Sequence, residues 1–166
     1  ARQLCITGPC VYTDGSLTRN VASAGVYFPA TNQTHHVRLN GHDATLNTVT
    51  RAEAAGLLHA LQHTPPASDM TFMIDSQVLL HQITTMLTTT YKMHTHPHKH
   101  MLKTITNLLL ARTGNTILQK VRAHIGIVGN ERADRAAASH PAPQANEQHD
   151  LDAPHTLRTA RGKNWI

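Results

Sequence analysis

The feature that most constrains this chain is a change of hydrophobic period after about residue 45. Before it, short apolar runs alternate with turn residues. Residues 9–14 read as a strand closed by Asp14-Gly15, a pair that favours turns. Residues 21–28 and 33–39 read as two more strands, with Pro29 and Asn32 between them. Three short strands so close in sequence predict an antiparallel meander. From Arg51 to His63 the apolar residues instead recur as Ala54, Leu57, Leu58 and Leu61, a helical stripe stopped by Pro65-Pro66. A buried strand over 70–75, a helix to about Leu87, a helix over about 100–112, a strand over 116–121 and an Ala-rich helix over about 129–139 follow. Strands first, then strand and helix in alternation, predict an α/β chain: one mixed sheet with helices on its faces.

At 166 residues the chain is one domain of ordinary size, able to bury a core. Its composition shifts beyond His140 to Pro, Gln, Asn and His. That divides it into a lead-in over 1–8, a folded domain over 9–140 and a tail or linker over 141–166. No apolar run approaches the roughly 20 residues a membrane span needs. No charged-then-apolar leader opens the chain, and its two cysteines, Cys5 and Cys10, make no disulfide scaffold. The expectation is an intracellular protein, nuclear or cytoplasmic, and not a secreted one. A start at Ala1 suits a domain cut from a longer chain. The formal net charge of +5, with 14 histidines besides, suits a polyanionic partner without demanding one.

Against that basic background the carboxylates are scarce: ten in all, seven of them before residue 141. Four of the seven, Asp14, Glu53, Asp75 and Asp134, fall at apolar-flanked junctions between predicted elements. Each has an ordinary local explanation. Asp14-Gly15 is a turn pair, Thr50-Arg51-Ala52-Glu53 a capping box, Asp75 a cap for the helix after it, and Asp134 an acidic residue in a first helical turn. Together they have a second explanation. Capping does not ask four carboxylates from successive elements to face one end of a sheet. Hard divalent cations do, and two such ions about 4 Å apart support in-line phosphodiester cleavage.

The order Thr13-Asp14-Gly15-Ser16, then Arg51-Ala52-Glu53-Ala54, then Ile74-Asp75-Ser76, then His124-x-Gly-x-x-Gly-Asn-Glu-x-Ala-Asp134 resembles the type 1 ribonuclease H family. The last motif is most similar to the version carried by retroelements without long terminal repeats. The resemblance covers about residues 9–139. It implies a ribonuclease H-like fold, a five-stranded mixed sheet with helices on both faces. It implies an endonuclease that cuts the RNA strand of RNA–DNA hybrids, with two Mg2+ ions (or Mn2+ in their place) held by Asp14, Glu53, Asp75 and Asp134. His124 matches the family histidine that assists proton transfer or product departure. Substrate contacts are implied for backbone groups around Gly15 and Ser16 on the RNA strand, for the segment 48–51 with Arg51, for Thr48 near a DNA phosphate, and for Thr50 and Ser76 near the minor groove. The expected partners are the hybrid itself and a reverse transcriptase domain, fused or separate, with the isolated domain a monomer.

Bacterial members of the family carry a basic, tryptophan-lined helical protrusion where this chain has only Tyr91-Lys92-Met93-His94-Thr95-His96-Pro97-His98-Lys99-His100. Base stacking on aromatics contributes roughly 1–3 kcal/mol per base, so its absence predicts weaker, more salt-sensitive binding. The alternating histidines there read as a solvated loop, since their spacing is not that of a structural zinc site. Two other functions share the fold: a domain that binds nucleic acid without cutting it, and an integrase-like strand transferase. Four crowded carboxylates disfavour the first, and the Arg-Ala-Glu and His124–Asp134 motifs disfavour the second.

Overall fold

The computed structural model of the chain describes residues 8–39, 48–122 and 128–138. His124, Cys5 and the tail assigned to 141–166 lie outside these described residues; Cys10 is a free thiol. Five strands form one sheet: β1 (Cys10–Thr18), β2 (Val21–Phe28), β3 (Gln33–Arg38), β4 (Met70–Ile74) and β5 (Thr116–Lys120). Four α-helices accompany it: α1 (Val49–Gln62), α2 (Gln77–Thr88), α3 (Lys99–Ala111) and α4 (Val128–Ala138). The strand order is β3-β2-β1-β4-β5, antiparallel through β3, β2 and β1 and parallel from β1 through β4 to β5. The expected meander, mixed sheet and helices on both faces are all present.

One expectation is corrected. Asp14-Gly15 does not turn the chain; β1 runs on through both residues to Thr18. The turn falls at Arg19 and Asn20, whose φ values of 51° and 62° give the left-handed pair a two-residue hairpin needs. Gly15 has a different reason to be glycine. A Cβ there would lie 2.5 Å from the backbone nitrogen of Glu53 and 2.6 Å from its Cγ. The residue lets α1 lie directly on the strand.

Side chains alternate across the sheet as the pleat requires. Val11, Ala22, Ala24, Val26, Phe72 and Ile74 point to the face covered by α1, with α2 and α3 behind it, and form the main core with Leu57, Leu58, Leu79, Ile83 and Ile105. Tyr12, Tyr27 and Met73 point to the other face and pack with Ala133 of α4 and with Val121. α1 is buried well beyond the stripe read from the sequence, because it is sandwiched between the sheet and α3. On the opposite face α4 is placed by Gly25, where a Cβ would overlap the Ala133 carbonyl and the Ala137 amide. Ser23 donates to the Ala137 carbonyl at 2.6 Å, and Arg132 donates to the Tyr27 hydroxyl and to Asn32 Oδ1, both at 2.6 Å. Among the described residues, no helix is long and apolar enough to cross a membrane.

The end of the sheet away from the Asp14 side chain is closed by a buried arginine. Arg112, at the end of α3, donates to the Thr116 hydroxyl at 2.8 Å and to the carbonyls of Pro65 and Ser68 at 3.3 and 2.6 Å. Its guanidinium also lies 5.3 Å from the centre of the Phe72 ring. Burial pushes its pKa down, and the nearby Asp69 charge opposes that shift. One side chain therefore ties the α1–β4 loop to the start of β5. Arg112→Met fills the volume but leaves these carbonyls without their donor. Urea unfolding should show it less stable by about 3 kcal/mol, with its secondary structure retained.

Candidate active site

β1 and β4 run parallel, and their last paired residues are Thr13 and Ile74. Asp14 and Asp75 each come next, so the two carboxylates start from neighbouring positions on adjacent strands. β4 ends there while β1 continues, which leaves the edge of β1 open beyond Thr13. Helices bring the other two carboxylates from opposite faces. Glu53 arrives on α1, at the place where Gly15 allows the close approach. Asp134 arrives on α4, which crosses the sheet over Gly25, the register partner of Asp14. One oxygen each from Asp14, Glu53 and Asp75 lies within 4.8 Å of the other two. The Asp134 carboxyl is close enough to Asp14 to share a hydrogen bond with it.

The electrostatics follow from this crowding. Asp14 is only 6% exposed. Burial, and then the Asp75 charge, push its carboxyl up to about 8, against the opposing hydrogen bond that it accepts from the Gly15 amide. Asp134 pushes it further in the same direction. Glu53 is also raised, first by burial and then by Asp75; the Ser76 hydroxyl and the Lys120 charge oppose that rise. Burial first, and repulsion between the carboxylates after it, therefore push Asp14 and Glu53 towards their neutral forms. An oxygen-only donor set of this kind suits a hard divalent cation.

None of the ordinary local explanations survives for the four carboxylates. Thr48, not Thr50, caps α1 by accepting the Arg51 amide at 3.1 Å, so Glu53 lies beyond the capping-box position. Ser76, not Asp75, caps α2 by accepting the Leu79 amide at 3.1 Å. α4 begins at Val128, which puts Asp134 in its second turn rather than its first. Asp14 lies within a strand and not in a turn.

The residues assigned to substrate are placed less uniformly. Gly15 and Ser16 follow Asp14 along β1, and Thr48 and Thr50 stand half-buried at the start of α1. Arg51 is 2% exposed, so its guanidinium is not offered at the surface; its charge is enclosed beneath α1. Ser76 is buried, its hydroxyl engaged with the Leu79 amide and with Glu53. His124 lies outside the described residues.

Two neighbours of the site were not legible in the sequence. Lys120, the last residue of β5, donates through Nζ to the Asp75 carbonyl and, at 2.9 Å, to the Val121 carbonyl. Only the parallel pairing of β4 with β5 brings it there, and that pairing spans more than 40 residues of sequence. His98 is buried, and its Nε2 lies 3.3 Å from the Thr48 hydroxyl. The segment 94–100 is therefore not simply solvated: His96 meets Gln82 at 3.2 Å, while His94 and His100 remain exposed. The alternating pattern hid this difference because it gives every histidine the same neighbours.

Compared with known proteins, no curated protein matches the chain. The sequence model of the RNase H family matches residues 8–141, from just before β1 to just past α4. That span takes in the whole described sheet and all four of the carboxylates gathered at the end of β4. The chain belongs to the RNase H family.

Proposed function

We propose that this protein is a metal-dependent endonuclease that hydrolyses the RNA strand of RNA–DNA hybrids. The observation that carries the reading is the convergence of Asp14, Glu53, Asp75 and Asp134 from four separate elements onto one open strand edge. Asp14, Glu53, Asp75 and Asp134 would hold two Mg2+ ions, with Mn2+ able to substitute; Asp14 and Asp75 would bear most of the coordination, and Glu53 and Asp134 would each serve one ion. Bound there, the ions supply Lewis-acid stabilisation of phosphate charge and lower the cost of making a nucleophile from water.

The chain's own residues do the rest. With cations bound, the carboxylates would set where the scissile phosphate lies, beside the end of β4. Gly15 and Ser16 present backbone groups to the RNA strand, where the 2′-hydroxyl distinguishes RNA from DNA. Thr48 and Thr50 receive the DNA strand at the start of α1, and with Arg51 and Ser76 buried their part is to hold that helix and Glu53 in place. His124 carries a proton towards or away from the leaving group. The motif from His124 to Asp134 supports a retroelement origin, with a reverse transcriptase domain as the natural companion.

The direct test is a labelled RNA–DNA hybrid with Mg2+, beside matched RNA duplex, DNA duplex and single-stranded RNA. Cutting confined to the RNA of the hybrid is expected; hybrid binding without cutting would make the domain a non-catalytic one. Asp75→Asn should lower the Mg2+-dependent rate by more than about a thousandfold, or about 4 kcal/mol, with an unchanged circular dichroism spectrum. His124→Ala should slow cleavage by about a hundredfold without abolishing it, as the loss of a proton carrier does.

The crowding at Asp14 also predicts a pH dependence in chelator. Its carboxyl is raised from 3.8 to about 8 in the folded chain. Between those values the folded state keeps a proton that the unfolded chain has released, so stability falls as pH rises. Asp14→Asn stays neutral throughout. Its stability relative to the parent should increase from pH 4 to 8, by on the order of 1 kcal/mol after solvent screening, in paired urea melts. Excess Mg2+ should remove most of that difference.

A further inference from the structure

A second cluster of metal-ligand side chains lies on the α1 face of the sheet, away from the acidic group. It comprises His35 from β3 and His59 and His63 from α1, and one ring nitrogen of each lies within 4.8 Å of those of the other two. His35 pairs with Val26 and so faces α1, whereas its neighbour His36 faces the other side. His59 and His63 are four residues apart, one above the other on the helix. His59 is 3% exposed, His35 is half-buried and His63 is exposed.

The hydrogen bonds already arrange these rings as ligands. His35 Nδ1 and His59 Nε2 are 2.7 Å apart, so one carries a proton and the other accepts it. Two nitrogen lone-pair directions therefore converge on one point. His63 Nδ1 lies 2.8 Å from the His59 carbonyl, which can only accept, so the proton is on Nδ1 and the lone pair of Nε2 is left available. A ligating histidine whose other nitrogen donates to a backbone carbonyl is the usual arrangement around protein-bound zinc. The ring stacking of His59 on His63, with centroids 3.9 Å apart, and the contact of His35 with Phe28 hold the three rings together.

We propose that His35, His59 and His63 bind one divalent transition-metal ion of the zinc class. The ion takes the place of the proton shared by His35 and His59, and that proton moves to the other nitrogen of its own ring, so that all three imidazoles stay neutral. Four-coordinate zinc with nitrogen ligands at 2.0–2.1 Å needs nitrogens about 3.4 Å apart in rings whose planes both contain the ion, so the exposed His63 ring turns out of its stack on His59 to bind. Three neutral imidazoles favour zinc, nickel, copper or cobalt over Mg2+, whereas the oxygen-only acidic group favours the reverse. The fourth position is open to water. The bound ion would clamp the edge strand β3 to the last turns of α1.

The test is a titration of the full chain with Co2+ and Zn2+ in excess Mg2+, which keeps the acidic group occupied by a hard ion. Co2+ should give the intense visible bands of a four-coordinate nitrogen site, and Zn2+ should displace it at one equivalent and raise Tm by several degrees. His63→Gln should weaken binding by at least about 10–100-fold and abolish the Tm rise. His94→Gln/His100→Gln, in the exposed run, should leave both unchanged. His35→Gln serves in place of His63→Gln if the latter fails to fold by circular dichroism. No uptake by the parent chain at about a hundred micromolar metal, weak six-coordinate Co2+ bands, or loss of binding only with the His94/His100 pair would overturn the assignment.

Discussion

Asp14 is held between two helices that approach the sheet more closely than any residue with a Cβ would allow. α1 comes down on Gly15, next to Asp14 in the chain, and α4 on Gly25, opposite Asp14 in the ladder. These approaches determine where Glu53 and Asp134 can be, and the parallel pairing of β1 with β4 determines where Asp75 can be. The acidic group therefore follows from backbone packing at two glycines and one strand end. Interior packing is dense enough that even one methyl group in either place would force a helix away.

Burying Asp14 and setting other carboxylates beside it are both unfavourable, and the rise of Asp14 to about 8 reflects burial first and the neighbouring charges second. The remainder of the fold must offset that cost. The large apolar core lies on the α1 side, and the Arg112 bonds close the sheet at its other end, so neither depends on the charge state of the site. Lys120 brings a cation to the site, but its ammonium is engaged with two backbone carbonyls and opposes the rise of Glu53 only as one contribution among several. A divalent ion brings two charges in one particle and satisfies several oxygens directly.

The elements of the fold were legible because hydrophobic period records burial, and burial here is regular along most strands and helices. β2 lies where the alternation put it, and the other strands and helices differ at their ends by a few residues. Asp14-Gly15 was misread because turn preference is a local property, while the need for glycine comes from a helix nearly 40 residues later. The same limit explains the caps: Thr48 and Thr50 are equally plausible in sequence, and only the first has the extended backbone that caps a helix. The histidines over 94–100 stand out by their alternation, whereas no regular spacing connects His35 with His59 and His63. His59 and His63 do carry a signal, the four-residue step of one helix face, but their third partner comes from a separate strand, β3.

α1 links the two groups of polar side chains. Glu53 and His63 are ten residues apart, which at 1.5 Å per residue is about 15 Å along the helix. That distance is too great for an ion at the histidines to touch the acidic group, and solvent screening weakens any direct effect of charge across it. A mechanical effect is shorter in reach than it first seems. The strand that a histidine-bound ion would fasten is β3, which pairs with β2, and Gly25 of β2 is the residue over which α4 carries Asp134. Holding β3 against α1 therefore restrains the strand on which the fourth carboxylate depends, while Glu53 is restrained through the same helix. If the two sites communicate, the route runs through the packing of one helix and two strands, and the acidic group keeps its own chemistry.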